Sequence, residues 1–256
     1  MTFTRKALVL FALYFPLLSY ANNGRNKDNP DSDSLQLSYP KFTAKPLIIP
    51  ASLMIYGAIE TLLAPKYRGL NYAIGHEVIT HKPSQFTIDD ITQYVPAASV
   101  YVLNLGGMKG RHNFKDRTII LGIASLFTAA SVNAIKYTAK VERPDKSAMN
   151  SFPSGHTAVA FMGAEFLWQE YKDVSIWYGI GGYTVATLTG AFRMYNNKHW
   201  IGDVAFGAGL GILSTKLAYL LHSAIQSKWL NSNGNNLVFY PYYNGQQGGI
   251  SISKQF

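Results

Sequence analysis

Three short stretches of this 256-residue chain carry residue types that can bind and transfer a phosphoryl group. The first runs Lys136-Tyr-Thr-Ala-Lys-Val-Glu-Arg143-Pro144, with Lys136 and Arg143 seven residues apart. That spacing is two helical turns, so on a continuous helix both cations share a face, and Pro144 then ends the helix or forces an extended exit. Taken alone, such a pair is usually solvated surface. The second stretch is Ser151-Phe152-Pro153-Ser154-Gly155-His156-Thr157. The Ser154 hydroxyl can donate, Gly155 lets the backbone approach closely, and free N–H groups at the start of an apolar helix point toward an oxyanion. His156, in that first turn, is placed to protonate a departing alkoxide. The plainer reading is an N-cap followed by a packed histidine. The third stretch is Arg193-Met-Tyr-Asn-Asn-Lys-His199-Trp-Ile-Gly-Asp203. His199 and Asp203 stand at i and i+4, adjacent if a helix begins near His199. A carboxylate there holds one ring nitrogen as N–H and leaves the other free to attack, while Arg193 adds a bidentate phosphate donor. Otherwise the pair is a local surface contact.

These stretches fall at three successive junctions between apolar segments, near 47–64, 88–107, 117–139, 155–171, 174–192 and 200–226. The segments are long, rich in Gly and Ala and poor in β-branched runs, which predicts an all-α bundle of about six helices. Thr87 or Asp89 is the expected cap of the second, Ser154 of the fourth and Asp173 of the fifth. The C-terminal tail, 227–256, differs: Leu237–Tyr243 is β-prone, Asn244-Gly245 is a hairpin turn signal, and Gly249–Phe256 alternates apolar with polar residues, which predicts a short β-hairpin.

The N-terminus speaks to compartment. Arg5 and Lys6 precede an uncharged run from Ala7 to Leu18, and Ser19-Tyr20-Ala21 offers small residues for cleavage, so 1–21 reads as a secretory signal peptide. Residues 22–46 are polar and aperiodic, a mobile leader to a helical domain at 47–226. Cleavage removes Arg5, Lys6 and no carboxylate, taking the formal charge from +9 to +7. A cationic balance suits anionic lipids or phosphorylated substrates; no nucleic-acid motif accompanies it, so no nucleic-acid partner is expected. With no cysteine, disulfides, thiolate chemistry and Cys-ligated metals are excluded. The remaining histidines (His76, His81, His112, His222) form no ligand-like set and read as structural or surface groups; no metal or cofactor is expected. Charge-free stretches at 91–108, 118–135 and 174–192 have the length of a membrane span, whereas Pro50 with Glu60, Glu165 and Lys216 make the other segments poor candidates for lipid exposure. If 47–64 lies at the membrane surface, both site-bearing junctions face outward and the basic loop of Lys109, Arg111, Lys115 and Arg117 faces inward.

Taken together and in this order, the three stretches resemble the type 2 phosphatidic acid phosphatase superfamily, whose pattern reads Lys-x6-Arg-Pro, then Pro-Ser-Gly-His, then Ser-Arg-x5-His-x3-Asp. The matching residues are Lys136, Arg143 and Pro144; Pro153, Ser154, Gly155 and His156; and Arg193, His199 and Asp203. Phe192 stands where the pattern has Ser. The resemblance implies a metal-independent phosphatase. Lys136, Arg143, Arg193, Ser154 and Gly155 would bind phosphate, His199 would attack phosphorus with Asp203 orienting it, His156 would protonate the leaving oxygen, and water would hydrolyse the phosphohistidine. Within the superfamily the chain looks most like the lipid A phosphatases of Gram-negative envelopes. That implies a phosphorylated lipid substrate, a membrane surface or bilayer as partner, and an exported, inner-membrane-associated protein with its site facing the periplasm. The alternatives are a soluble periplasmic acid phosphatase of broad specificity, an undecaprenyl pyrophosphate or phosphatidylglycerophosphate phosphatase, and a vanadate-dependent haloperoxidase, against which the short chain argues.

Overall fold

The computed structural model describes residues 45–63, 69–74, 87–230, 236–243 and 248–255, the stretches beyond residue 226 by backbone alone. The signal-peptide reading of 1–21 lies outside them, as do His76 and His81. The body is helical. After a 3-10 turn at Lys45–Leu47, α1 covers Ile48–Ala58 and continues as a π-helical stretch, Ile59–Leu63. There follow α2 (Asp89–Thr92), α3 (Val95–Leu105), α4 (Phe114–Ala139), α5 (Gly155–Tyr171), α6 (Ile176–Tyr195) and α7 (Ile201–Leu230). At the C-terminus the backbone of β1 (Asn236–Tyr243) pairs antiparallel with β2 (Gly248–Gln255), Asn236 opposite Gln255; the turn signal Asn244-Gly245 lies outside the described residues.

α5 and α7 carry most of the buried residues and form the centre, and charges they bring inside, such as Glu165, Glu170 and Lys216, meet protein partners. Small residues let them touch: a Cβ on Gly211 would collide with the Ala158 carbonyl, and one on Gly207 with that of Ser154. Two apolar clusters fill the space around this pair. Val100, Ile120, Phe166, Leu167 and Tyr171 pack at one end. Val132, Phe152, Ala158, Phe206 and Leu210 pack under the loops at the other. α4, with 26 residues, is about 39 Å long and joins the two ends.

Several boundaries differ from those read in the sequence. The third helix begins at Phe114 because Asn113 accepts the Asp116 N–H and caps it. Ser175, not Asp173, caps α6 by accepting from Trp177 N–H. The second segment breaks into α2 and α3, and neither Thr87 nor Asp89 caps it; Asp89 turns inward to an arginine. Ser154 does occupy the N-cap of α5 with extended backbone, but its hydroxyl bonds the Thr157 hydroxyl at 2.9 Å instead of a backbone N–H. Among the described residues, three helical stretches are long and apolar enough to cross a membrane: Lys45–Leu63, Phe114–Ala139 and Ile201–Gln226. Two of these were discounted for their charges, but both charges turn to protein partners. Glu60 accepts the Asn71 N–H at 2.7 Å, and Lys216 lies 2.7 Å from Glu165. A paired charge facing the bundle does not carry the cost of a lone one in lipid. Large apolar residues stand exposed on the outer faces, among them Ile49 and Ile55 of α1, Leu126 of α4 and Trp177 of α6.

Candidate active site

The three motif stretches meet at one end of the bundle, where α4 ends, α5 begins and α6 hands over to α7. α4 stops at Ala139 because Lys140 adopts the left-handed conformation at φ 47°. Arg143 and Pro144 therefore lie in the following loop, not on a shared helical face with Lys136. The loop brings Arg143 back by a tight turn: its N–H donates to Ala148 O, and its carbonyl accepts from Lys146 N–H. A second loop, 196–200, is fastened to the first. Lys198 Nζ lies 2.7 Å from Asp145 Oδ2, Asp145 N–H donates to Asn197 O, and the Trp200 indole N–H donates to Glu142 O at 2.9 Å. Asp145 is held at about 2; its own burial opposes this, and hydrogen bonds from Lys198 and Ser147 prevail. Surface ion pairs are weak singly, but here three ties converge on one junction.

His199 is buried and precedes α7 by two residues, while Asp203 sits in that helix's first turn, fully buried. His199 Nδ1 lies 3.6 Å from Asp203 Oδ2, an electrostatic pairing slightly too long for a full hydrogen bond. Asp203 cannot swing away. Its Oδ2 accepts from the Ser151 hydroxyl and from Trp200 N–H at 2.9 Å, and its Oδ1 faces the Thr61 hydroxyl at 3.4 Å. Its own carbonyl accepts Ser154 N–H, tying α7 to the start of α5. Burial pushes the His199 imidazole down to about 4, against the upward pull of Asp203. At neutral pH the ring is therefore uncharged and able to attack.

The cations stand around this ring. Arg193, at the C-terminal end of α6, is buried, and Lys136 donates to Asn150 O from the last turn of α4. Burial and the neighbouring Arg193 both pull Arg143 below the usual arginine range. Arg143 Nε, Arg193 Nε and His199 Nδ1 are buried with no protein hydrogen-bond partner among the described residues. Buried donors left unpaired cost about 1–3 kcal/mol each, and two guanidinium N–H groups without a protein acceptor, in the two motif stretches that line the recess beside His199, suit a tetrahedral oxyanion. The first N–H groups of α5, at Gly155 and His156, have no intrahelical acceptor, which suits them to an anion.

Four neighbours escaped the sequence reading. Ser151 and Thr61 hold Asp203, and Ser151 stood in plain view inside the second motif. Asp89, fully buried, pairs with Arg193 Nη1 at 2.5 Å and accepts from Asn196 Nδ2. Asp90 Oδ1 lies 2.8 Å from His156 Nε2. Two successive carboxylates ahead of an uncharged run were the available signal. Asp89, Asp90 and His156 also form a compact group of candidate metal ligands, a cluster absent from the sequence reading, although the Arg193 guanidinium already occupies one carboxylate. Phe152 does not face the recess; it is buried against Phe206, ring centroids 4.7 Å apart. At the far end, His112 bonds Glu170 at 2.7 Å, and His222 lies 3.4 Å from Asp116. Arg117 is buried there and donates to His112 O, so the exposed charge of that loop rests on its other basic residues.

Comparison with known proteins falls on the same region. Residues 117–227 match the PAP2 superfamily, a span that contains all three motifs. A lipid A 1-phosphatase of Porphyromonas gingivalis is 42% identical over 141 residues, which take in 54% of this chain and 31% of that protein. The match thus spans about a third of the relative's length. Among solved structures, Aquifex aeolicus LpxE is similar at a TM-score of 0.47 and 21% identity, covering 62% of this chain and 99% of that one. The Bacillus subtilis PAP2 type phosphatidylglycerolphosphate phosphatase is similar at 0.44 and 20% identity, covering 69% and 97%.

Proposed function

With a PAP2 superfamily domain at residues 117–227 as the premise, we propose that this chain is a phosphatase that hydrolyses a phosphomonoester of an envelope lipid through a phosphohistidine. The observation that carries this reading is the cluster itself: a buried, uncharged His199 is backed by Asp203 and lies within electrostatic reach of Lys136 and Arg193, while Arg143 Nε and Arg193 Nε are buried without a protein acceptor among the described residues. His199 attacks phosphorus through Nε2, the nitrogen remote from Asp203, as the leaving P–O bond breaks. Lys136, Arg143 and Arg193 offset the charge on the equatorial oxygens, with Gly155 N–H and the Ser154 side chain at the mouth of α5. His156 gives a proton to the departing oxygen and then takes one from the water that hydrolyses the phosphohistidine. Asp203 supports the imidazolium form that His199 passes through.

Three apolar helices and exposed apolar faces support membrane association, and likeness to a lipid A 1-phosphatase supports a glycolipid phosphate as substrate. A panel of lipid A, phosphatidate, undecaprenyl pyrophosphate and an aryl phosphate, with phosphate release measured for each, tests the assignment. Release should be greatest from a lipid monoester and unchanged by EDTA, because three fixed cations do the work of a metal. Loss with EDTA, restored by a divalent ion, would reject the metal-free route.

The site is proposed to face the periplasm. Lys109, Arg111 and Lys115 lie at the opposite end of α4 from Lys136, and positive charge prefers the cytoplasmic side. In this cysteine-free chain, Met149→Cys and Asn150→Cys, both at exposed positions of the site loop, should react with a membrane-impermeant thiol reagent once the outer membrane is permeabilised. Labelling that needs inner-membrane lysis would reverse the orientation.

A further inference from the structure

The single-turn helix α2 carries two successive carboxylates outside every motif, and each grips a different residue of the recess. Asp89 is fully buried and uses both oxygens, one on Arg193 and one on Asn196. Asp90 is half exposed and reaches His156 Nε2 at 2.8 Å. α2 is itself fixed: the Thr92 hydroxyl bonds the Thr189 hydroxyl of α6 at 2.9 Å, and Gln93 Nε2 donates to the Asp90 carbonyl at 2.9 Å. Asp90 is therefore aimed by the fold at the one motif histidine that Asp203 does not serve.

We infer that Asp90 is a positioning residue for the leaving-group acid, holding His156 by Nε2–H so that the Nδ1–H proton is the one delivered to the departing oxygen. The inference rests on the phosphatase reading given above. The bookkeeping is complete within it. As the His199–P bond forms and the P–O bond to the alcohol breaks, Nδ1–H protonates the alkoxide and His156 is left neutral, its remaining proton on Nε2 facing Asp90. When water attacks the phosphohistidine, Nδ1 accepts the water proton, phosphate leaves, and the imidazolium is restored. A carboxylate on Nε2 fixes this tautomer through both halves of the cycle.

Charge makes the same demand. The charged groups facing His156 are Arg193 from α6 and Asp89 and Asp90 from α2. Burial and Arg193 hold the ring below the usual histidine range, and the two carboxylates oppose them. With Asp89 committed to Arg193, Asp90 is the counter-charge that keeps the acid form available. Removing its charge lowers the ring's pKa further, so the proton is lost at a lower pH.

Asp90→Asn in the full chain, purified in detergent, separates this role from a structural one. On hexyl phosphate, whose alkoxide needs a proton, kcat/KM should fall on the order of tenfold or more, and on 4-nitrophenyl phosphate by less than about threefold. The alkaline limb of the pH profile should move to lower pH, and Asp90→Glu should recover part of the loss. Equal losses on both substrates with an unmoved limb would overturn the inference. So would a divalent-ion requirement of the wild type that vanishes in Asp90→Asn, since the carboxylate would then be a metal ligand. A second readout needs no turnover: the His156 ring, followed by NMR titration, should titrate at lower pH in Asp90→Asn than in wild type. An unchanged titration refutes the proposal, whereas a wild type that releases phosphate from neither ester nor from lipid A or phosphatidate refutes the phosphatase reading instead.

Discussion

His199→Ala will release phosphate at least on the order of 10⁴-fold more slowly than wild type, because it removes the atom that forms the covalent bond. Among the described residues the site leaves no understudy. His156 is tied to Asp90, and the far-end histidines lie a helix length away beside Glu170 and Asp116. Asp203 would remain in place, because Ser151 and Trp200 N–H hold it independently of the imidazole. The variant should therefore keep its fold, with a stability change within about 1–3 kcal/mol for loss of one buried side chain. Single-turnover measurement with radiolabelled substrate and a denaturing quench should show acid-labile phosphate on the wild-type chain and none on His199→Ala. A well-folded variant with substantial turnover, or one that still traps labelled phosphate, would end the assignment of His199 as nucleophile.

Ser151→Ala offers a graded version of the same test. It removes a donor to Asp203 and leaves the carboxylate to Trp200 N–H and the more distant Thr61 hydroxyl. Turnover should fall by roughly tenfold, the lower end of what outer-shell partners contribute, with KM little changed. A change confined to KM would place Ser151 in substrate binding instead.

The sequence made the candidate site legible and left its supports hidden, for physical reasons. Lys136, Arg143, His156, Arg193, His199 and Asp203 stood out because the proposed phosphoryl transfer asks for those residue types, and the folded chain brings their three stretches together. The helices were legible from apolar length. What failed was local geometry decided by tertiary contact. The heptad spacing of Lys136 and Arg143 looked like one helical face, yet Lys140 ends the helix and a loop returns Arg143 to the same place. Asp89 looked like a cap because caps are local, whereas its partner Arg193 lies 104 residues away. Asp90 and Thr61 were invisible for the same reason: a single Asp or Thr has many uses, and only the packing of α2 and α1 on the bundle selects this one. Glu60 and Lys216 counted against their helices until their protein partners were known.

The remaining large effect concerns what enters the recess. A small recess of about 10 Å³ lies beside His199, lined by Asn71, Ile74, Pro144, Met194, Asn197, Trp200 and Ile201. Most of that lining is apolar, and it lies next to the nucleophile at the end of the bundle where the loops meet. Tyr195 is exposed nearby, and the Trp200 ring is half-buried with its N–H committed to Glu142 O. A soluble aryl phosphate has only its ring to lay against this lining, whereas a lipid chain can run past the recess and pack its methylenes over the exposed apolar residues beside it. Each buried methylene contributes about 0.8 kcal/mol, so four of them are worth about 3 kcal/mol, or roughly 100-fold in kcat/KM. The wild type should therefore prefer a phosphorylated lipid over an aryl phosphate by about that factor. Trp200→Ala should cut the lipid reaction on the order of tenfold more than the soluble one, since the ring's apolar face meets more of the lipid. Trp200→Phe keeps that face and loses the bond to Glu142 O, so it should preserve the preference while lowering stability. Equal losses on both substrates in Trp200→Ala would make the ring a fastener between the two loops. A wild type that favours the soluble ester would mean that the apolar lining selects no lipid chain, and that the chain acts on soluble phosphomonoesters despite its membrane-length helices.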